Sequence, residues 1–390
     1  MKKYFYIGAL GLLVFEVLNV YFIMPMPGSQ GINSLNLAYF LYSWRWVFRV
    51  VFFLMIAAGS SQAFKTKRKW MMVGPVVLLL LTGAVVYLFN FVAKADKMFL
   101  QAKAVVFKSK ANNQLPGERL VIGIEHNGEA KAYPVEFIAY HHQVRDSIGG
   151  KPVMVTYCSV CRTGRVFEPL VDGNYENFRL VGMDHFNAMF EDETTGSWWR
   201  QSTGEAITGK LKGKTLPEMI AQQVSVNTWF EMHPDGKVMQ ADEFSMGAYD
   251  PEAKFEQGKS RGSLTRTDSL SWKDKSWTVG VQAGKASKAY DWNDLKKKGI
   301  VNDVIGETPV FIYMASDGKS FGAFERPASR NFTIRHDTLF TEGSSYNLSG
   351  QDLAIPTMKL RRINAYQEFW HSWATFHPNT EKYRVINDGH

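Results

Sequence analysis

The sequence predicts an α+β fold, a strand-rich duplicated module preceded by three transmembrane helices, and three observations predict it. Three apolar stretches of about 20 residues crowd the first 93 positions, each long enough to cross a hydrocarbon core of roughly 30 Å. The rest repeats itself: VIGIEHNGEAKAYP at 121–134 is similar to TVGVQAGKASKAYD at 278–291, and DSIGGKPVMV at 146–155 to DVIGETPVFI at 303–312, both at an offset of 157. Within each copy, short apolar runs are bounded by turn-forming pairs such as Asn127-Gly128 and Asp172-Gly173.

The apolar stretches run Tyr4–Met24, Leu37–Ala58 and Trp70–Val92. They also explain the net charge of +8: residues 1–93 hold eight Lys/Arg against the single acid Glu16, whereas the remainder holds 37 bases and 36 acids. A nearly neutral outer part lacks the cationic footprint that phosphate backbones require, so no nucleic-acid partner is expected. The first stretch is longer than a signal-peptide core, and no small-residue cleavage pattern follows it. Lys2 and Lys3 precede the first span, the loop after it is uncharged, and KTKRK (Lys65–Lys69) joins spans two and three. The positive-inside rule then puts the N-terminus and the basic loop in the cytoplasm. A multi-pass protein of the bacterial inner membrane is expected, its partner the lipid bilayer and its C-terminal part in the periplasm. Glu16 and Arg45 interrupt spans one and two at matching depth, which predicts an intramembrane ion pair, with Arg49 snorkelling or joining it.

The outer part divides into a first module at 115–240, a polar linker at 241–271 and a second module at 272–385. At the offset of 157, Val121–Glu168 needs no gap and keeps thirteen identities, among them Gly123, Tyr133, Pro152 and Phe167. W-x-x-x-H-P recurs at Trp229–Pro234 and Trp373–Pro378, at an offset of 144. VIGIEH and KAYP predict a hairpin, PVEFIAYHH a short helix opened by Pro134, and PVMVTYC and RVFEPLV buried strands. A last helix carries Trp229. The copies differ at Cys158 and Cys161, which fall opposite Ala315 and Gly318, and at His141, opposite Lys298. The second module is therefore expected to keep the scaffold and lose the site.

YCSVC after PVMVT, followed by NAMFEDETTGSWWRQSTGEAITG at 187–209, resembles the bacterial family of domain of unknown function 3179. Its pattern is similar to a TYC-P-x-C-G run, an Asn-containing strand, an Asp and a Ser-x-Trp-x-Gln-x-x-Gly-x-Ala motif. Those positions are Cys158, Cys161, Asn187, Asp192, Ser197, Trp199, Gln201, Gly204 and Ala206. Ser159 stands where the family usually has Pro, and Arg162 where it often has Gly. The resemblance also implies a functional His at 141.

Cys158 and Cys161 are the only cysteines. A thioredoxin-like C-x-x-C opens a helix, whose N-terminus lowers the first thiol's pKa. Here the strand-like RTGRVFEPLV follows, so the pair is expected on a tight strand-to-strand turn, the geometry of a metal knuckle. Completing a site from one knuckle calls on histidine. His126, His141, His142, His185 and His233 lie in the first module, with His141 the first candidate and His185 the second. Two thiolates with an imidazole suit a copper or zinc ion. Asn187, Asp192, Trp199 and Gln201 are expected either to line a polar pocket or to cap turns and fill the core. No Gly-rich phosphate loop, G-x-S-x-G or H-E-x-x-H is present, so neither a nucleotide cofactor nor hydrolase chemistry is expected. Three functions stay open: a soft-metal carrier or sensor, a periplasmic thiol-disulfide oxidoreductase using Cys158 and Cys161 with a redox or metal-handling partner, and a binding module with a structural disulfide.

Overall fold

The computed structural model describes residues 1–65 and 68–384; Thr66 and Lys67 of the basic loop and residues 385–390 lie outside the described residues. Two compact units form. One comprises residues 1–100, 177–200 and 205–214, the other 101–176, 201–204 and 215 onward.

In the first unit, helix α1 spans Lys2–Tyr21, α2 Leu35–Ser43, α3 Arg45–Ala63 and α4 Val73–Tyr87. A 3-10 turn at Lys69–Met72 and a π turn at Leu88–Val92 lengthen α4 at its two ends. Among the described residues three segments are long and apolar enough to cross a membrane: Lys2–Tyr21, Arg45–Ala63 and Lys69–Val92. The second begins later than its apolar run suggests, because the backbone leaves the helix at Trp44 (φ −95°, ψ 8°) and separates α2 from α3. Close approach holds α1 to α3: a Cβ on Gly59 would lie 2.3 Å from the Phe5 amide nitrogen, the small-residue packing common between membrane helices.

The expected Glu16–Arg45 pair is corrected by the geometry. Arg49 Nε and Nη2 donate to the two Glu16 oxygens at 2.6 and 2.9 Å, and Asn90 bridges both residues. Arg45, one turn nearer the helix end, folds back instead, with Nη1 2.5 Å from the Tyr42 carbonyl and its guanidinium 3.9 Å from the Tyr42 ring centre.

Four antiparallel strands complete this unit, Phe178–Asp184, Asn187–Asp192, Trp198–Arg200 and Ala206–Thr208, paired in chain order. They dock on the helix ends: the Met183 amide donates to Ile23 O (2.7 Å), the Phe186 amide to Gln30 Oε1 (3.1 Å), and Tyr39 and Tyr42 pack edge-on against Trp198. Residues 177–200 and 205–214, expected with the first module, thus cluster with the apolar helices.

The second unit contains two halves of like order. In the first, Leu120–His126 and Glu129–Pro134 form the Asn127-Gly128 hairpin, helix Val135–His141 follows, and Gln143–Ile148, Lys151–Cys158 and Thr163–Phe167 pair antiparallel. In the second, Trp277–Ala283, Ala286–Asp291, helix Trp292–Lys298, Ile300–Ile305, Thr308–Met314 and Phe321–Glu325 repeat that order. Strand registers coincide at the offset of 157: Val121 faces Pro134 as Thr278 faces Asp291, and Met154 faces Phe167 as Phe311 faces Phe324. The closing strands, Gln222–Ser225 and Ala365–Phe369, coincide at 144, with Gln222 opposite Gly123 and Tyr366 opposite Gly280. Both glycines lie under a buried tryptophan: a Cβ at either would meet Trp229 or Trp373 at 2.2 Å.

Each half has an apolar core, around Ile122, Tyr133, Ile138 and Val155 in the first and Val279, Tyr290, Leu295 and Ile312 in the second. Phe369 of the second half packs into the first core. So does Phe255, from a helix at Met246–Glu256 that occupies the stretch expected to be a polar linker.

Candidate functional site

The Lys151–Cys158 strand ends at one cysteine, and Thr163, directly opposite it, begins the next strand. Ser159, Val160, Cys161 and Arg162 form the turn between them, as the absence of helix signals after the pair predicts. Arg162 closes the turn at φ 59°, a left-handed conformation that favours glycine. That accounts for Gly being common there in the family pattern. Arg162 holds the conformation through its buried guanidinium, which donates to Gln367 Oε1 (3.0 Å), Phe255 O (3.1 Å) and Glu256 O (2.7 Å) and stacks 3.7 Å from the Trp277 ring centre.

Cys158 and Cys161 are both buried. Lys275 is the cation set against them. Its Nζ donates to Val160 O in the turn (2.8 Å) and to Leu264 O (2.7 Å), and lies 3.1 Å from His371 Nε2. Burial lowers the Lys275 pKa, while negative charge at Cys161 and Cys158 works in the opposite direction. Burial likewise pushes His371 down to about 4, with the Lys275 charge adding to the effect. His371 is therefore neutral near neutral pH, with Nε2 also 3.4 Å from Val160 O.

The second half grips the turn further. The Phe369 amide donates to Cys161 O at 2.9 Å. Glu368, buried, accepts from Thr163 Oγ1 (2.8 Å), Ser372 Oγ (3.0 Å) and the Arg165 guanidinium. Lys275, His371, Gln367 and Glu368 come from more than 100 residues beyond the cysteines.

The expected site residues are distributed differently. Gln201 is brought to the turn, donating to Thr156 Oγ1 (3.0 Å) and Thr163 O (3.1 Å). His141 is buried with Nε2 2.7 Å from the Tyr249 hydroxyl. His142 caps the preceding helix at φ 61°, and burial pushes its pKa down to about 4. His185 belongs to the first unit, where Asp184 holds Nδ1 at 2.7 Å and raises its pKa, and Asn33 meets Nε2 at 3.0 Å. Asp192 caps a turn, accepting from the Thr195 and Ser197 amides and from Trp199 Nε1 (2.9 Å). Asn187 is buried at the start of its strand in the same unit. Among the described residues no group of three or more His, Cys, Asp or Glu side chains is arranged to hold a metal. The expected set of Cys158, Cys161 and His141, or His185, is not assembled as one cluster: His141 is engaged by Tyr249 and His185 by Asp184.

The family model described as protein of unknown function (DUF3179) matches residues 102–380. The chain belongs to this family. The match covers both halves of the second unit, well beyond the 115–240 stretch whose motifs carry the resemblance, and starts after the apolar helices. No curated protein and no solved structure matches the chain.

Proposed function

We propose that this is a three-span protein of the bacterial inner membrane whose outer, periplasmic part binds a soft monovalent metal, Cu(I), through Cys158 and Cys161, as a carrier or sensor. The observation that carries the reading is the half-buried Lys275 ammonium, bonded to the carbonyl of Val160 between the two cysteines of a strand-to-strand turn. A cation beside a thiol favours the thiolate, which is the metal-binding form. Two thiolates around a monovalent ion leave one negative charge, which Lys275 offsets. Soft thiolate donors favour Cu(I). Closed zinc sites take four donors, two more than the cysteine pair supplies.

The coincident registers at 157 and 144 support a duplicated ancestry for the two halves. The second half has Ala315 and Gly318 at the cysteine positions, so its role is to clamp the first half's turn through Phe369, Glu368 and Lys275. The spans and the basic loop support the membrane topology; a periplasm-specific reporter fused after His390 should be active, and activity of a cytoplasmic reporter instead would refute it.

The direct test is competition with a chromophoric Cu(I) chelator under anaerobic conditions. Wild-type protein should hold Cu(I), Cys158→Ser should lose it, and His141→Ala should keep it. Lys275→Gln should bind about tenfold more weakly, equivalent to about 1.4 kcal/mol. Copper retention unchanged by Cys158→Ser would refute the site. A second reading rests on the same lysine: an electropositive setting also activates a redox dithiol. Copper-free protein whose pair has a reduction potential well above about −300 mV would favour it.

A further inference from the structure

The first unit holds a cavity of about 340 Å³ where α1, α3, the end of the third apolar segment and the strand Phe178–Asp184 meet. Val20, Ile23, Val86 and Phe89 give it apolar walls. Four cations also line it: Arg45, Arg49, Lys94 and Arg179. Glu16 neutralises Arg49 inside the helix cluster. Asp96 and Glu191 hold Arg179. Four cations thus face three carboxylates, leaving one positive charge in excess. Arg45 donates to the Tyr42 carbonyl and stacks on the Tyr42 ring, and among the described residues neither Arg45 nor Lys94 has a carboxylate within salt-bridge distance. Burial lowers the Lys94 pKa, and an anion placed beside it would relieve that cost.

Asn19, only 7% exposed, also lines the cavity. Asn19 near the end of α1, Arg45 at the start of α3, and Asn90 in the closing turn of the third segment place it at one common end of the apolar helices.

We infer that this cavity binds an anionic phospholipid, phosphatidylglycerol in its simplest form: the phosphodiester monoanion on Arg45 and Lys94, and the acyl chains along the apolar wall. The charges match one to one. The inference rests on the membrane anchoring proposed above, but not on the cysteine chemistry.

The test uses the full chain, delipidated in mild detergent and offered micelles containing phosphatidylglycerol or phosphatidylcholine, with bound lipid read by native mass spectrometry. Phosphatidylglycerol should be retained at least about tenfold over phosphatidylcholine. Arg45→Gln and Lys94→Gln should each lower its retention by about fivefold without changing phosphatidylcholine retention. Equal retention of both lipids by wild-type protein would overturn the inference without recourse to any variant. So would displacement of the lipid by soluble glycerol phosphate, which would make the site one for a free phosphoester. Alkaline carbonate washing of membranes separates the underlying reading: release of the chain into the supernatant would contradict the anchoring itself.

Discussion

Replacing Glu368 with alanine should uncouple the two halves of the outer part. The carboxylate is buried, its side chain 1% exposed, and it accepts from the 2% exposed side chain of Arg165 as well as from Thr163 and Ser372. Removing one partner of a buried ion pair typically costs about 3–5 kcal/mol, because the other charge stays behind unpaired. Arg165 would not be wholly abandoned: Ser202 O accepts from Nε at 2.9 Å, Glu218 lies 3.8 Å away, and the Tyr366 ring stacks on the guanidinium. The lower figure of about 3 kcal/mol is therefore expected. For a unit of this size that corresponds to a fall in Tm of about 6–12 °C. Glu368→Gln keeps an acceptor in place and should lose about half as much. Thermal unfolding in detergent, followed by near-ultraviolet circular dichroism, reads both. An alanine variant melting within about 1 °C of wild type would refute the view that Glu368 clamps the cysteine-bearing half to its partner.

Glu252 has a buried oxygen without a hydrogen-bond partner, and burial raises its pKa to about 7. Because the folded pKa lies above the unfolded one, the folded state holds the extra proton, and stability is lost as pH rises from about 4.5 to about 7. Glu256 is likewise pushed up to about 7 by burial, so Glu252→Gln should reduce that slope rather than abolish it and stabilise the protein at pH 8 by about 2–3 kcal/mol, judged from melts at pH 5 and pH 8; equal slopes in both proteins would contradict the assignment. Gly280→Ala places a Cβ against Trp373 and should cost about 1–3 kcal/mol, whereas Gly247→Ala, with nothing within 4 Å, should stabilise its helix by about 0.5–1 kcal/mol. In the apolar helices, Arg49→Leu should lower the melting temperature in detergent more than Arg45→Leu, since Arg49 and not Arg45 pairs with Glu16; the opposite order would restore the pair expected from depth alone.

Local signals with a fixed period were legible in the sequence. The Asn127-Gly128 hairpin, the short helix after Pro134 and the strand run into Cys158 lie where alternation and turn chemistry put them. The gapless match at 157 anticipated every strand register from Val121 to Phe167, because a one-residue slip would turn the buried side chains outward. Side-chain partnerships across long separations were not legible. Depth counting paired Glu16 with Arg45, but the chain breaks at Trp44 and the next turn of α3 supplies Arg49 instead. Histidines near the cysteines in sequence drew the candidate list, and His141 and His185 are engaged by Tyr249 and Asp184. Lys275 and His371 carry no local signature. The repeat held the available clue: the second half keeps the closing strand and tryptophan helix that bring Phe369 and His371 to the turn.

Whether Cys158 and Cys161 act together as a metal-holding thiolate pair is decided by copper analysis of the native protein, purified without added metal from copper-replete cells and paired with thiol alkylation before and after chelation. About one copper per chain is expected if they do, with both thiols resisting alkylation until a Cu(I) chelator removes the metal. Metal-free protein whose thiols alkylate equally before and after chelation, or copper that persists in Cys158→Ser, would contradict it.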